Sequence, residues 1–215
     1  MPVTLAFDPA VARAHLLERD PVLGRVIARV GEFRLRPRRT RTLFGALLES
    51  IAYQQLTGRA AATILGRVLA LCERPHAPAP EEILALPDEP LRAAGLSRNK
   101  IAALRDLARR ALDGTVPPLR VAQAMSDEEL MERLTAVRGV GRWTVEMILI
   151  FRLGRPDVLP LTDLGVRKGY QRAFGMRSLP AARTVARRGE LWRPYRSVAS
   201  WYLWRAVELL DPRQA

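Results

Sequence analysis

"VRGVGRWTVEMILIF", residues 137–151, sets two glycines one residue apart ahead of an apolar run and places a tryptophan at the turn. Gly139 can take the left-handed conformation that ends helices, so a helix arriving from the N-terminal side is expected to stop near Arg138 and a second to start at about Arg142. The arriving helix carries its own start signal: Ser126 with Glu129 three residues on is a capping box, which puts the first turn at about Asp127. Leu130, Leu134 and Val137 follow at helical spacing. Only "GVG" is left to join the two helices, a connection so short that they pack nearly side by side with Val140 tucked between them. The stretch reads as a helix-hairpin-helix over residues 128–152.

The backbone decides what such a hairpin can touch. Residues 141–144 place amide N–H groups at the positive end of a helix, and Gly139 and Gly141 put no side chain in front of them. That surface suits a phosphate: Arg142 adds a charge, Thr144 closes the first turn, and the missing side chains let another backbone come close. Many helix pairs also turn on a glycine for packing alone, and the hairpin by itself leaves that reading open.

Charge favours the phosphate. Against 22 acidic residues stand 35 basic ones, for a net +13 over 215 residues, which points to a polyanionic partner and first to nucleic acid. Lys100 and Lys168 are the only lysines, leaving 33 arginines; codon bias explains arginine over lysine but not base over acid. Apolar residues make up 48% of the chain but never run for the roughly 18 that a membrane span needs, and "MPVTLAFDPAVARAH" lacks a basic then apolar leader. A soluble, cytoplasmic, bacterial-type protein is expected, with no membrane association and no obligate protein partner, working as a monomer. Cys72 is the single cysteine, which excludes an internal disulfide and any four-cysteine zinc or iron–sulfur site. His15 and His76 are far apart in sequence, and neither a redox nor an organic cofactor is implied.

Apolar residues recur at helical spacing almost everywhere, as in Leu43, Leu47, Leu48 and Ile51 or Ile64, Leu65, Val68 and Leu69. Period-two alternation is confined to "VTLAF", residues 3–7, too short to make a sheet. The fold class is therefore all-α. Proline and glycine punctuate the short connections: "RPHAPAPEE", "LPDEPLRAAGLSRNK" and "DGTVPPL". In "RPDVLPLTDLGVRKGY", residues 155–170, Pro156 and Pro160 force an extended segment before a helix that starts near Leu164, with Asp163 at the N-cap. As a local fact, an aspartate there caps a helix.

The hairpin, the proline-containing loop and Asp163 together resemble the helix-hairpin-helix, glycine/proline, aspartate (HhH-GPD) superfamily of DNA base-excision glycosylases, and most closely its 3-methyladenine DNA glycosylase II branch. Four stretches carry the resemblance in the family's order: "SIAYQQLTGRAA" (50–61), "GLSRNKIAALRDLA" (95–108), residues 137–169, and "WRPYRSVASWYLW" (192–204). The resemblance implies two helical lobes around a cleft. A six-helix lobe over 41–158 would hold the hairpin, and residues 1–40 with 159–215 would form a second lobe carrying the catalytic aspartate. The family's branch with an N-terminal β-domain is expected to be absent, because only about 40 residues precede "TLFGALLES".

The resemblance also assigns chemistry. Substrates would be double-stranded DNA carrying alkylated, cationic bases such as 3-methyladenine or 7-methylguanine, flipped out of the stack. Asp163 would stabilise the positive sugar and orient or deprotonate the attacking water. Strand-cutting relatives place a Schiff-base lysine directly after the hairpin, where this chain has Trp143, so a monofunctional enzyme that leaves an abasic site is expected. Trp143, Trp204, Tyr53 and Trp201 are the candidate rings of the base pocket, each open to a plain packing role. Gln55 and then Leu56 are candidates for the wedge that fills the emptied stack, and Thr57 with Gly58 opens another helix N-terminus. Relatives hold a monovalent cation on hairpin carbonyls, which maps a possible Na+ or K+ site onto the main-chain oxygens of Arg138 and Val140. A monofunctional glycosylase for other damaged or mismatched bases stays open, as does a non-catalytic helix-hairpin-helix DNA-binding protein in which Asp163 is only a cap.

Overall fold

The computed structural model describes residues 5–209, and every regular element among them is helical. In chain order the α-helices begin with α1 (Pro9–Arg19), α2 (Pro21–Val30), α3 (Leu43–Tyr53), α4 (Gly58–Ala70) and α5 (Pro80–Ala85). They continue with α6 (Asp88–Ala93), α7 (Arg98–Leu112), α8 (Leu119–Ala124), α9 (Asp127–Thr135) and α10 (Arg142–Phe151). After these come α11 (Leu164–Ala173), α12 (Ala182–Gly189), a 3₁₀ turn over Glu190–Trp192, and α13 (Arg196–Leu209). Of "VTLAF", Val3 and Thr4 lie outside the described residues, and Leu5 to Phe7 are irregular backbone. No described helix is long and apolar enough to cross a membrane.

The chain falls into two compact units: one runs from Arg39 to Ile148, and the other joins the residues up to Arg38 with those from Leu149. The later boundary sits inside α10 rather than at the expected residue 158. Residues just past Ile148 are already tied to the N-terminal segment, since the Arg38 N–H donates to the Phe151 carbonyl at 2.7 Å and Gly154 lies against Pro37 and Leu5. Residues 41–158 hold eight helices instead of six. The extra ones are short: α5, α6 and α8 have six residues each, α5 and α6 within proline-containing stretches that read as loops and α8 directly after Pro117 and Pro118. Proline at a first helical position lacks only an N–H that would have no partner there, and Pro80 opens α5 in this way.

In the unit from Arg39 to Ile148, α7 packs on α3, α5 and α6. Its Ile101, Leu104 and Leu107 are buried in a core with Leu47, Leu48, Ile51 and Ile83, each such side chain contributing about 1.5–3 kcal/mol relative to exposure. The Thr42 hydroxyl caps α3 by accepting from the Gly45 N–H at 3.0 Å.

In the other unit α13 is the central helix, burying Val198, Ala199, Tyr202, Leu203 and Ala206 against α11, α2 and α1. Two glycines four apart on α11 make that crossing possible. A Cβ on Gly169 would lie 1.9 Å from the Leu203 carbonyl oxygen, and one on Gly165 2.7 Å from Trp204 Cδ1. Asp20, fully buried, ends α1 and caps α2. Its carboxylate accepts from Arg188 at 2.7 and 2.8 Å and from Trp192 Nε1 at 2.8 Å, tying the N-terminal helices to the C-terminal ones. Burial pushes this carboxyl's pKa up, but the bonds from Arg188, Trp192 and the Leu23 N–H outweigh burial and hold it below its usual value.

Candidate active site

The hairpin starts where its capping box indicates. Ser126 accepts from the Glu129 N–H and the Glu129 carboxylate accepts from the Ser126 N–H, both at 3.1 Å. α9 ends at Thr135, three residues before the expected stop at Arg138. The reason is a tight turn just beyond it: the Val140 N–H donates to the Val137 carbonyl at 3.0 Å with Gly139 third in the turn at φ +78°, where a type II turn requires a residue that tolerates positive φ. Gly139 therefore makes the turn rather than the helix cap. Val140 is buried, as expected of a residue held between the helices. The first bond of α10 runs from the Val145 N–H to the Gly141 carbonyl at 3.2 Å, so the amides of Arg142, Trp143 and Thr144 lie ahead of the helical ladder. A Cβ on Gly141 would meet nothing within 4 Å; no packing among the described residues requires that glycine. Arg142 donates to the buried Glu146 carboxylate at 3.0 Å. Thr144 is buried.

Beside the hairpin stands the loop between α3 and α4. Gln55 is the one non-glycine residue with positive φ among those described, at +57°, a conformation that costs about 1–3 kcal/mol. Gln55 and Leu56 are exposed, Leu56 by 40%. Thr57 makes no side-chain bond to the first turn of α4. The neighbour Gln54 reaches the hairpin, its Nε2 donating to the Gly139 carbonyl at 2.8 Å. From α7, Lys100 Nζ donates to the carbonyls of Ala52 at 2.7 Å and Gln54 at 2.8 Å. Asp106, further along the same helix, accepts from the Arg138 N–H at 2.8 Å. None of these supports was legible in the residue pattern, because each joins segments distant in sequence.

Asp163 is the N-cap of α11: its Oδ1 accepts from the Val166 N–H at 2.8 Å and also from Trp204 Nε1 at 2.8 Å. Trp204 stacks on Phe151, with ring centroids 5.4 Å apart and planes 27° apart. Gly165 is what admits the indole, since any side chain there would collide with Trp204 and with Asp163 Oδ1 at 3.0 Å. The start of α13 grips the segment before Asp163. Arg196 pairs with the Asp157 carboxylate at 2.7 and 3.0 Å, the Ser197 hydroxyl accepts from the Val158 N–H at 2.9 Å, and the Ser197 N–H donates to the Pro156 carbonyl at 2.9 Å. One helix thus fixes both the approach to Asp163 and the ring bonded to it, which accounts for the "WRPYRS" motif.

The other candidate rings divide. Trp143 is 48% exposed on the first turn of α10, so it is no core residue. Tyr53, the last residue of α3, is half-buried. Trp201 packs edge-on against Phe33 and Tyr202, each at 5.0 Å, with the Arg205 guanidinium over its ring. Among the described residues no cluster of three or more His, Cys, Asp or Glu could hold a metal ion.

A family model described as HhH-GPD superfamily base excision DNA repair protein matches residues 48–194. DNA-3-methyladenine glycosylase 1 of Schizosaccharomyces pombe is 38% identical over 203 residues, covering 93% of this chain and 88% of its own length. Among solved structures, a 3-methyladenine DNA glycosylase of the same yeast in complex with abasic DNA superposes with a TM-score of 0.81 at 37% identity, covering 92% of this chain and 96% of that one. A DNA-3-methyladenine glycosidase from Bacillus halodurans superposes with a TM-score of 0.83 at 32% identity, covering 96% and 92%.

Proposed function

Because the chain belongs to the HhH-GPD superfamily of base excision DNA repair proteins, we propose that it is a DNA glycosylase that flips alkylated purines out of duplex DNA and hydrolyses their N-glycosidic bonds. The observation that carries this reading is the Asp163 carboxylate, held at the start of α11 by the Val166 N–H and the Trp204 indole N–H. A carboxylate fixed in this way can face the positive charge that grows on the sugar as the base departs, and can orient or deprotonate water for attack at C1′. Proton transfer of this kind is worth about a hundred- to ten-thousand-fold in rate. Alkylation at N3 or N7 makes the purine cationic and a ready leaving group, so little acid is needed on the base. Electron-rich rings favour such a base by about 0.5–2 kcal/mol of cation–π energy; Trp143 and Trp204 are assigned this role, with Tyr53 in support.

The hairpin amides ahead of α10 and Gly141 take the DNA phosphate, and Gln55 with Leu56 fills the emptied stack. A Na+ or K+ ion suits the main-chain oxygens of Arg138 and Val140, a donor set that is all oxygen, while the Gly139 carbonyl is engaged by Gln54. Such an ion would supply positive charge to a phosphate. The enzyme leaves the strand intact, since Trp143 stands where strand-cutting relatives carry lysine and Lys100 is engaged by two carbonyls. It works as a cytoplasmic monomer.

The test is incubation of the protein with methylated duplex DNA, with free bases separated by chromatography and strands sized with and without alkali. Methylated purines should be released and nicks should appear only after alkali. Intact strands in both lanes with no free base would refute the glycosylase, and nicks without alkali would refute the monofunctional assignment.

A further inference from the structure

One side of α7 serves both exposed loops. Lys100 holds the carbonyls of Ala52 and Gln54, Ala103 lies 3.5 Å from where a Cβ on Gly139 would stand, and Asp106 takes the Arg138 N–H. These residues are spaced three apart and so follow one side of the helix. Gln54 completes the link by donating to the Gly139 carbonyl. α3 has no basic residue in its own last turn, and Lys100 brings the missing cation to that negative helix end from another element.

The choice of residue is informative. This chain uses 33 arginines and two lysines, yet a lysine stands here. A guanidinium is a planar fork matched to carboxylates and phosphates, whereas an ammonium carries three donors around one point and can meet two carbonyls at 2.7 and 2.8 Å. The residue immediately past the clamped carbonyl is Gln55, held at φ +57°. A backbone conformation of that kind persists only where its surroundings over-determine it.

We propose that Lys100 is a positioning residue for base flipping: it fixes the Gln55–Leu56 loop in the shape that fills the stack, and α7 keeps that loop in register with the hairpin. This role rests on the reading of Gln55 and Leu56 as the wedge. Lys100 touches neither substrate nor reacting atoms; it acts through the loop.

The experiment uses the full chain with Lys100→Met, which keeps the stem and removes the charge, and Lys100→Arg as a second variant that keeps a cation at the end of α3. Two readouts are taken. One is the fluorescence of 2-aminopurine placed opposite a tetrahydrofuran abasic analogue, which rises when the wedge unstacks it. The other is single-turnover release of 7-methylguanine paired with cytosine or mispaired with thymine. Lys100→Met is expected to lose the fluorescence rise and to slow release from the normal pair about tenfold. From the mispair the loss should stay within about twofold, because a mismatched base costs less to extrude. Lys100→Arg should show a smaller loss of the same pattern. Aminoethylation of Lys100→Cys in a Cys72→Ala background should restore both signals. Equal losses on the paired and mispaired lesions, or an undiminished fluorescence rise in Lys100→Met, would overturn the proposal while leaving the glycosylase reading intact. Loss of the rise in Lys100→Met with no base release by the wild type would uphold the positioning role and refute the glycosylase reading.

Discussion

Gly165→Ala puts a methyl group 2.7 Å from Trp204 Cδ1 and 3.0 Å from both Trp204 Nε1 and Asp163 Oδ1. Carbon atoms in contact stand about 3.5–4.0 Å apart, so the indole must retreat by about 1 Å. Its bond to Asp163, now 2.8 Å, then passes out of hydrogen-bonding range. Overpacking of this kind costs about 1–3 kcal/mol, which for a chain of this size lowers the melting temperature by about 2–4 °C per kcal/mol. The effect on rate is larger than the effect on stability, because a displacement of about 1 Å at a catalytic group costs on the order of a hundredfold. Single-turnover release of 7-methylguanine by Gly165→Ala should therefore fall about a hundredfold while the protein stays folded and still binds abasic duplex. Trp204→Phe with Gly165 kept leaves a ring against Phe151 and adds no overlap, but it supplies no N–H; this variant should also lose rate, without the overpacking of Gly165→Ala. A wild-type rate in Gly165→Ala or in Trp204→Phe would refute the claim that the Trp204 indole N–H positions Asp163.

Gly141→Ala meets no side chain or neighbouring segment among the described residues, so its melting temperature should change by less than about 2 °C. Its affinity for duplex DNA should nevertheless fall, because the added methyl faces the approaching phosphate; titrations across salt concentration check this. Asp20→Asn leaves Arg188 and Trp192 without their buried anion and should cost about 3 kcal/mol or more in denaturant unfolding. The carboxyl of Asp20 is held below its ordinary 3.8 in the folded state, so its contribution is complete above that value and fades as pH falls through the folded pKa. Wild-type stability should drop there more steeply than that of Asp20→Asn in acid titrations followed by circular dichroism.

Local signals were legible in the sequence where the physics is local. The capping box at Ser126 and Glu129 marks the start of α9, and the two prolines before Asp163 mark its N-cap position, because both signals lie within a few residues of the feature they mark. The end of α9 comes earlier than its glycine suggests. Gly139 signals positive φ without saying whether a helix cap or a separate turn uses it, and Val137 to Val140 form that turn. Three six-residue helices hide in or next to proline-containing stretches because so few residues show no periodicity. At the site, Asp163 and Trp204 are 41 residues apart, and nothing in either neighbourhood states that they meet. One trace was available: Gly165 and Gly169, four apart on a helix, mark a face where another backbone comes close, and the structure shows which. Lys100 left only its rarity as a clue, since its partners are carbonyls, which carry no residue identity.

The most direct test is Asp163→Asn, because asparagine caps a helix about as well as aspartate and keeps an Oδ1 that can accept from Val166 and Trp204 while removing the charge. Wild type and variant are compared for single-turnover release of 7-methylguanine from duplex DNA, at concentrations set to equal occupancy of abasic duplex and with melting temperatures recorded. The expected result is a fall in rate of at least about a hundredfold, with DNA affinity and melting temperature nearly unchanged. Release at the wild-type rate would show that Asp163 is a helix cap and nothing more, and would contradict the account.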